Sequence, residues 1–484
     1  MKSKDDKVVY GIYAEEERRR RSRNHAIAVK KGGYFTVSER KIVKRALIIF
    51  TVAVGCVLFA AWFLIYGCQS DWCRIAPVNV KPVFGPAPED IAKLLPEAGF
   101  DERGTLPSAE NDTNFPFILP AGFRISIFAK DLPGARVMRF DSKGNMWVSL
   151  TSEGKVVQLM MSEKGIAKKE VFTNLRKPHG LAFDHRDPDV LYVAEDDKVF
   201  RVRLPDTNQR EKILDLPCCD GHYTRTIGFG PDDKLYISTG SSCNVCVETD
   251  GRRSTIIQYD TESKQSKIYA RGLRNSVFFT WDYVFGDMVA TEMGRDLLGD
   301  DLPPDEINLI KENAPLMEVG ARDYGWPYCY GQNVPDPFGK DIPGSLCIGK
   351  EPAFIDVPAH SAPLGLAFVS EDPPGGGWPE EYWHDLIVAY HGSWNRSVPA
   401  GYKVVRHKLT PRQEKGYIYE GVEDFITGFL VDAQSPPDLS RGYPINVGSA
   451  YGRPVDIVIQ PGGVMYLSDD KAGVIYKIEY TAGQ

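Results

Sequence analysis

The feature that most restricts this chain is a unit that recurs six times: a short strand ending in an apolar residue, usually Phe, then a turn, then a second strand. Its copies read "ARVMRFDSKGNMWVSL" from 135, "HGLAFDHRDPDVLYVAE" from 179, "TRTIGFGPDDKLYIST" from 224, "SVFFTWDYVFGDMVATE" from 276, a longer version opening "PLGLAF" from 363, and "PVDIVIQPGGVMYLSDD" from 454. Several are followed by a third strand, as in "KVVQLMM", "STIIQYD" and "GVIYKIEY". Units this small bury their apolar faces only against one another, and a closed ring of six leaves no long exposed edge. The expected fold class is therefore all-β, a six-bladed β-propeller over 119–484. A β-sandwich or a pair of barrels would not explain six similar units. The strand "GFRISIFAKDL" at 122–132 has no partner of its own and is expected to close the ring on the last blade. Longer gaps at 293–360 and 396–450 predict insertions that decorate one face.

The N-terminal part has a different organisation. Residues 1–45 carry fourteen Lys/Arg against six Asp/Glu, so this tail is +8 while the remaining chain is −15. An acidic main domain argues against nucleic acid as a partner. Residues 46–67, "ALIIFTVAVGCVLFAAWFLIYG", contain no charge and match the length of a membrane-crossing helix, roughly 20 residues. A cleaved signal peptide would be shorter and nearer the N-terminus, so an uncleaved anchor is expected. Lys41, Lys44 and Arg45 precede the span, which puts a solvated basic tail in the cytoplasm, beside anionic headgroups, and the propeller on the periplasmic, lumenal or extracellular side. A Pro-rich linker at 68–118 joins the two.

That placement governs the cysteines. Cys56 lies within the span, and the other eight are on the exported side, where disulfides persist. Cys243–Cys246 and Cys329–Cys347 are the expected pairs, although Cys218, Cys219, Cys243 and Cys246 together would also be a conceivable zinc set. Val247 follows the C-x-x-C, so covalent haem attachment is excluded. Asn111 and Asn395 fit glycosylation sequons.

In a propeller the inner strands line a central funnel, and residues just ahead of them gather at its mouth. Those positions hold Arg136, Arg176 and His179, His222 and Arg225, Arg274 and Asn275, His360 and Ser361, and Arg453. Each alone suits a structural histidine or an inter-blade ion pair. Convergence of so many cations in an acidic domain calls for an anion, and a planar polycarboxylate suits guanidinium forks.

The phrases "HYTRTIGFGPDDKLYIS", "GLRNSVFFTWD", "TEMGRDLLGDDLPPDEINLI", "DYGWPYCYG", "HGSWNRS" and "GRPVDIVI" resemble the glucose/sorbosone dehydrogenase family, six-bladed quinoproteins that use pyrroloquinoline quinone (PQQ). The resemblance runs from about Leu119 to about Tyr480. It implies that His222 is the general base taking a proton from a sugar hydroxyl as hydride passes to the quinone, a task suited to imidazole. Arg274 and Asn275 would hold the cofactor, joined by Arg396 and Arg453, with Arg136 and His391 as further candidates. The carbonyls of Gly294 and Arg295 would bind calcium, which polarises the quinone. Glucose-oxidising relatives carry a lysine near Arg396, or Asn395 in the alternative alignment, and a second arginine where this chain has Val455, so glucose itself is not implied.

The implied function is a membrane-anchored dehydrogenase oxidising a sugar or related alcohol and passing electrons to a quinone or cytochrome near the bilayer. Two other classes stay open. Some propellers resembling this one act as ligand traps without quinone chemistry, like hedgehog-interacting proteins, and lactonase-type propellers hold calcium at the axis with inward Asn, Asp and Glu. The cluster "GDDLPPDEINLI" offers four carboxylates, Asp300, Asp301, Asp305 and Glu306, to a second cation, but reads better as a turn and strand start, and Trp326 and Tyr328 either stack on a sugar or fill an inter-blade gap.

Overall fold

The computed structural model describes residues 108–162, 165–311, 321–342, 346–371, 377–430 and 450–481. The basic tail, the apolar stretch at 46–67 and the linker up to residue 107 lie outside them, so the expected membrane anchor does too. Among the described residues no helix is long and apolar enough to cross a membrane.

Six sheets of four or five strands form the blades. In each, the second strand is five residues long and wholly buried: Met146–Leu150, Val190–Ala194, Leu235–Thr239, Met288–Glu292, Leu386–Tyr390 and Met465–Asp469. These are the segments rich in Val, Ile, Leu and aromatic residues. They are covered on both faces because each blade is packed between two others, so they lack the in-out alternation of a half-exposed strand. The outer strands meet solvent along most of their length, as in Tyr417–Ile426. Asp residues shape the tight turns between first and second strands. Asp141 Oδ1 accepts from the amides of Lys143 and Asn145, and Asp282 Oδ1 does the same for Val284 and Phe285.

The ring closes as the sequence predicts. Phe123–Ala129 pairs antiparallel with the C-terminal strand Val474–Tyr480, with Phe123 opposite Tyr480 and Ile125 opposite Ile478. Glu110–Asn111 adds a short parallel strand outside it, within the stretch read as linker. Phe123 is fully buried among Trp378, Tyr382, Phe425 and Tyr480, which ties the first strand to blades 5 and 6. Removing that ring would cost roughly 3–5 kcal/mol.

The two expected insertions differ. Residues 293–360 do hold extra structure. The hairpin Cys329–Tyr330 with Val334–Pro335 lies here, and Arg322–Asp323 crosses over to extend the outer edge of blade 3. By contrast, much of 396–450 is the third and fourth strands of blade 5, Lys403–Pro411 and Tyr417–Ile426. The repeat unit had ended after two or three strands, so a regular fourth strand registered as an insertion.

Both expected disulfides are present, Cys243–Cys246 and Cys329–Cys347, together with a bond between adjacent Cys218 and Cys219 that sequence reasoning did not pair. With Cys218, Cys219, Cys243 and Cys246 so bonded, they do not form a zinc site.

Candidate active site

At the axial mouth a cavity of about 280 Å³ opens among the leading ends of blades 3 to 6. The larger groove of about 820 Å³ runs along the outer strands of blade 2 and is lined by paired charges such as Arg201 with Glu211, so it offers no reactive group.

His222 comes from the segment leading into Ile227–Phe229. Its Nδ1 lies 3.1 Å from the carbonyl oxygen of Ser241 and 2.9 Å from Ser241 Oγ. The Ser241 hydroxyl donates its own proton to the Cys243 carbonyl at 2.7 Å. Both Ser241 oxygens are therefore acceptors, Nδ1 carries the proton, and Nε2 holds a lone pair. Burial, reinforced by the Arg274 charge, pulls His222 down to about 3, so the ring is neutral at ordinary pH. The close approach requires Gly240, where an added Cβ would stand 2.5 Å from Asn275 Oδ1 and 2.6 Å from His222 Cβ.

Arg274 is tied down by protein acceptors. Nε donates to the Asn244 carbonyl, Nη1 to the carbonyls of Gly294 (2.8 Å) and Met293 (3.3 Å), and Nη2 to Asn244 Oδ1 and Asp296 Oδ2. Asn275 is held by its own amide, which donates to Glu292 Oε1 at 2.8 Å. Gly294 lies against Pro304, where a Cβ would meet the Pro304 carbonyl at 2.8 Å, and its amide donates to Asp305 Oδ1. Behind this wall Glu292, Asp305 and Glu306 are buried. Burial pushes them up to about 8, 7 and 7 respectively, with Glu306 adding to the shift of Glu292.

On the opposite wall, Arg453 donates to the carbonyls of His391 and Gly392, and no carboxylate among the described residues forms an ion pair with it. Burial lowers its pKa. His391 Nε2 lies 3.0 Å from Asp470 Oδ1, and the other oxygen of Asp470 takes Arg136 Nη1 at 2.6 Å. Burial pulls His391 down to about 4 against the opposing pull of Asp470.

Of the sequence-predicted residues, the cavity brings together His222, Arg274, Asn275, Gly294, His391 and Arg453, with His360 beside them. Three other side chains do not line it. Arg136 is reached through Asp470; the Arg295 side chain turns to Asp336 at 3.0 Å, which does not bear on the role expected of its carbonyl; and Arg396 points to Asp301 and the Asp300 carbonyl, leaving Asn395 on the wall. His179, Arg176 and Arg225 also lie off the cavity, and Asp196 pairs with both arginines. The axial cations are thus less exposed to a ligand than their number in the sequence suggests, because Asp196 and Asp470 already neutralise part of them.

Residues 117–481 match the family model described as TrAA12-like. The chain belongs to the TrAA12-like family. This bears out the resemblance to quinoprotein sugar dehydrogenases read from the motifs. An uncharacterized protein of Borreliella burgdorferi is 28% identical over 75% of this chain and 90% of its own length. A pyrroloquinoline quinone-dependent pyranose dehydrogenase of Coprinopsis cinerea is 24% identical over 75% of this chain but only 54% of its own length, so the chain spans about half of that relative. In structure, the holo PQQ domain of pyranose dehydrogenase from Coprinopsis cinerea superposes with a TM-score of 0.62 at 21% identity, covering 77% of this chain and 99% of that one. An iodide structure of a Trichoderma reesei family AA12 carbohydrate-active enzyme gives 0.62 at 19% identity, covering 76% and 99%. These likenesses establish the shared six-bladed fold.

Among the cavity-lining residues that the sequence reading did not assign to the site are Asp296, Asp305 and Trp394. Asp296 follows Arg295 within "TEMGRD" and Trp394 sits inside "HGSWNR", so both were quoted without being singled out. Asp305 was read as part of a turn and strand start. It does begin the strand Asp305–Ile310, but its carboxylate points inward and also accepts from Ala362 N.

Proposed function

We propose that this chain is a quinoprotein dehydrogenase that binds PQQ in the axial cavity and oxidises a sugar, with His222 as general base. The observation that carries the reading is the fixed tautomer of His222. A neutral imidazole with its lone pair on Nε2, beside an arginine-rich cavity, is the arrangement that proton removal from a hydroxyl requires.

The donor set fits the cofactor. A planar tricarboxylate finds Arg453, which has no ion-pair partner among the described residues, His391 beside it, and Asn275 and Arg274 across the cavity. Asn395 takes the wall position proposed for Arg396, and Arg136 supports His391 through Asp470. For calcium, the oxygen wall at Gly294, backed by Asp305, is chemically suitable. The Gly294 carbonyl already accepts from Arg274, so a cation there competes with that guanidinium for one oxygen. When bound, the quinone supplies a two-electron, hydride-accepting carbonyl system and calcium a Lewis acid that polarises it. The protein's part is to hold both and to take the hydroxyl proton on His222 Nε2.

Membrane attachment through residues 46–67, export of the propeller, and electron delivery to a quinone or cytochrome near the bilayer belong to the same proposal. They are supported by the uncharged stretch, its basic flank and the disulfides. The test adds PQQ and calcium, separately and together, to purified protein and follows cofactor absorbance and dye reduction with a panel of aldoses. If PQQ does not bind at all, the enzyme reading fails and the ligand-trap reading takes its place.

A further inference from the structure

Trp394 is the one exposed tryptophan among the described residues, 48% accessible, and it lines the axial cavity with His222, Arg274 and Asp296. Other indoles are used differently. Trp147 and Trp378 are buried, and their Nε1 groups donate to Asp141 at 3.0 Å and to the Gly463 carbonyl at 2.7 Å. A single exposed apolar residue on a surface needs no explanation. A large ring at the mouth of a cavity lined by His222, Arg274 and Asp296 does, because among the described residues no other ring or cation packs on it.

Trp394 is held on both flanks. On one side, Ser393 N donates to the Ala400 carbonyl, Ala400 N donates to Ser393 Oγ, and Tyr402 OH donates to the Ser393 carbonyl. On the other, Asn395 Nδ2 donates to Asp296 Oδ1 at 2.7 Å, and Arg396 clamps the Asp300 carbonyl and Asp301. The indole therefore projects from a framework fixed at consecutive residues. Beside it, each oxygen of Asp296 receives one donor, from Asn395 or Arg274, although a carboxylate oxygen has about two acceptor sites. An apolar plate next to a carboxylate with spare acceptor capacity matches one side of a sugar ring: C–H groups on its face and hydroxyls on its edge.

We propose that Trp394 is the platform on which the substrate lies, packing against the C–H face of a pyranose ring while Asp296 accepts from ring hydroxyls. This rests on the sugar-oxidising reading above and narrows it to closed-ring sugars, since an open-chain polyol has no continuous C–H face to stack.

The experiment uses the full chain, with Trp394→Ala, Trp394→Leu and Trp394→Phe variants. Binding of a methyl pyranoside and of an open-chain hexitol is measured by saturation-transfer NMR, with and without PQQ. Cofactor affinity is titrated separately by absorbance. The wild type is expected to prefer the pyranoside. In the cofactor-free protein, Trp394→Ala and Trp394→Leu should weaken pyranoside binding roughly three- to tenfold, with Phe restoring part of it. Unchanged pyranoside affinity in the Ala or Leu variant, an equal loss for the hexitol, or no pyranoside binding by the wild type overturns the proposal. Should the alanine variant fail to fold by circular dichroism, the contrast between Phe and Leu decides it. Failure of the wild type to bind PQQ would defeat the enzyme reading, while the cofactor-free sugar measurement would still decide the role of Trp394.

Discussion

The Nδ1 of His222 and the carbonyl oxygen of Ser241 are 3.1 Å apart, and this contact leaves Nε2 as the basic nitrogen of the ring. Replacing His222 by Ala should lower turnover roughly 10²–10⁴-fold while PQQ still binds. Since burial holds the group at about 3, its base form persists as the solution is acidified. The acid limb of kcat/KM should then fall well below the ordinary histidine value of about 6.5. Stopped-flow cofactor reduction across pH would check it, and an acid limb near that ordinary value would assign the proton transfer to a different group.

The Cys243–Cys246 bond frames the same base. The Cys243 carbonyl takes the Ser241 hydroxyl proton that fixes the tautomer, and Asn244, inside the loop, supplies two acceptors to Arg274. Exchanging both cysteines for serine should therefore weaken PQQ binding roughly tenfold and slow turnover together. The Cys329→Ser/Cys347→Ser double variant should affect cofactor affinity less, because that bond staples the blade 4 insertion. Absorbance titration of the two variants makes the comparison.

Arg453 and Arg396 are both arginines carried by motifs in the last two blades, but only Arg453 reaches the cavity. Truncating Arg453 to Ala removes a buried guanidinium that has no described ion-pair partner, and should reduce PQQ affinity by about 10²-fold or more. Arg396→Ala opens a contact with Asp301, which is 85% exposed, and should change affinity only a few-fold. Equal losses would show that the blade 5 loop holds the cofactor as firmly as blade 6.

These contrasts mark where the sequence was legible. Strand repeats fix topology because each copy has to bury the same face, so the six blades and the closing strand Phe123–Ala129 were readable from period and composition. Positions just ahead of the inner strands were readable as well, since the repeat carries them around the axis, which is how His222, Arg274 and Arg453 were found. Side-chain direction in the loops was not. Arg396 and Asn395 are adjacent, and a hydrogen bond from Asn395 to Asp296 decides which of them faces inward. Nor was charge cancellation legible. Asp470 and Asp196 come from different blades than Arg136 and Arg225, with which they pair, so the axial cations looked freer than they are.

Glu306 gives a prediction about stability. It is buried, its oxygens accept from Gly331 N and Asn308 Nδ2, and burial pushes its pKa from 4.5 up to about 7. The folded state thus keeps a proton that the unfolded chain releases. This favours folding fully below about pH 4.5, and the benefit is lost as pH rises through about 7. The Asn308 Oδ1 is buried and lacks a partner, so an amide at 306 can supply a donor once Asn308 turns over. Glu306→Gln should consequently raise stability above pH 8 by on the order of 1–3 kcal/mol and have little effect near pH 4. Thermal melts of the two proteins across that range would measure it. A variant less stable than the wild type in alkali would mean that the ionised carboxylate is the form the fold prefers.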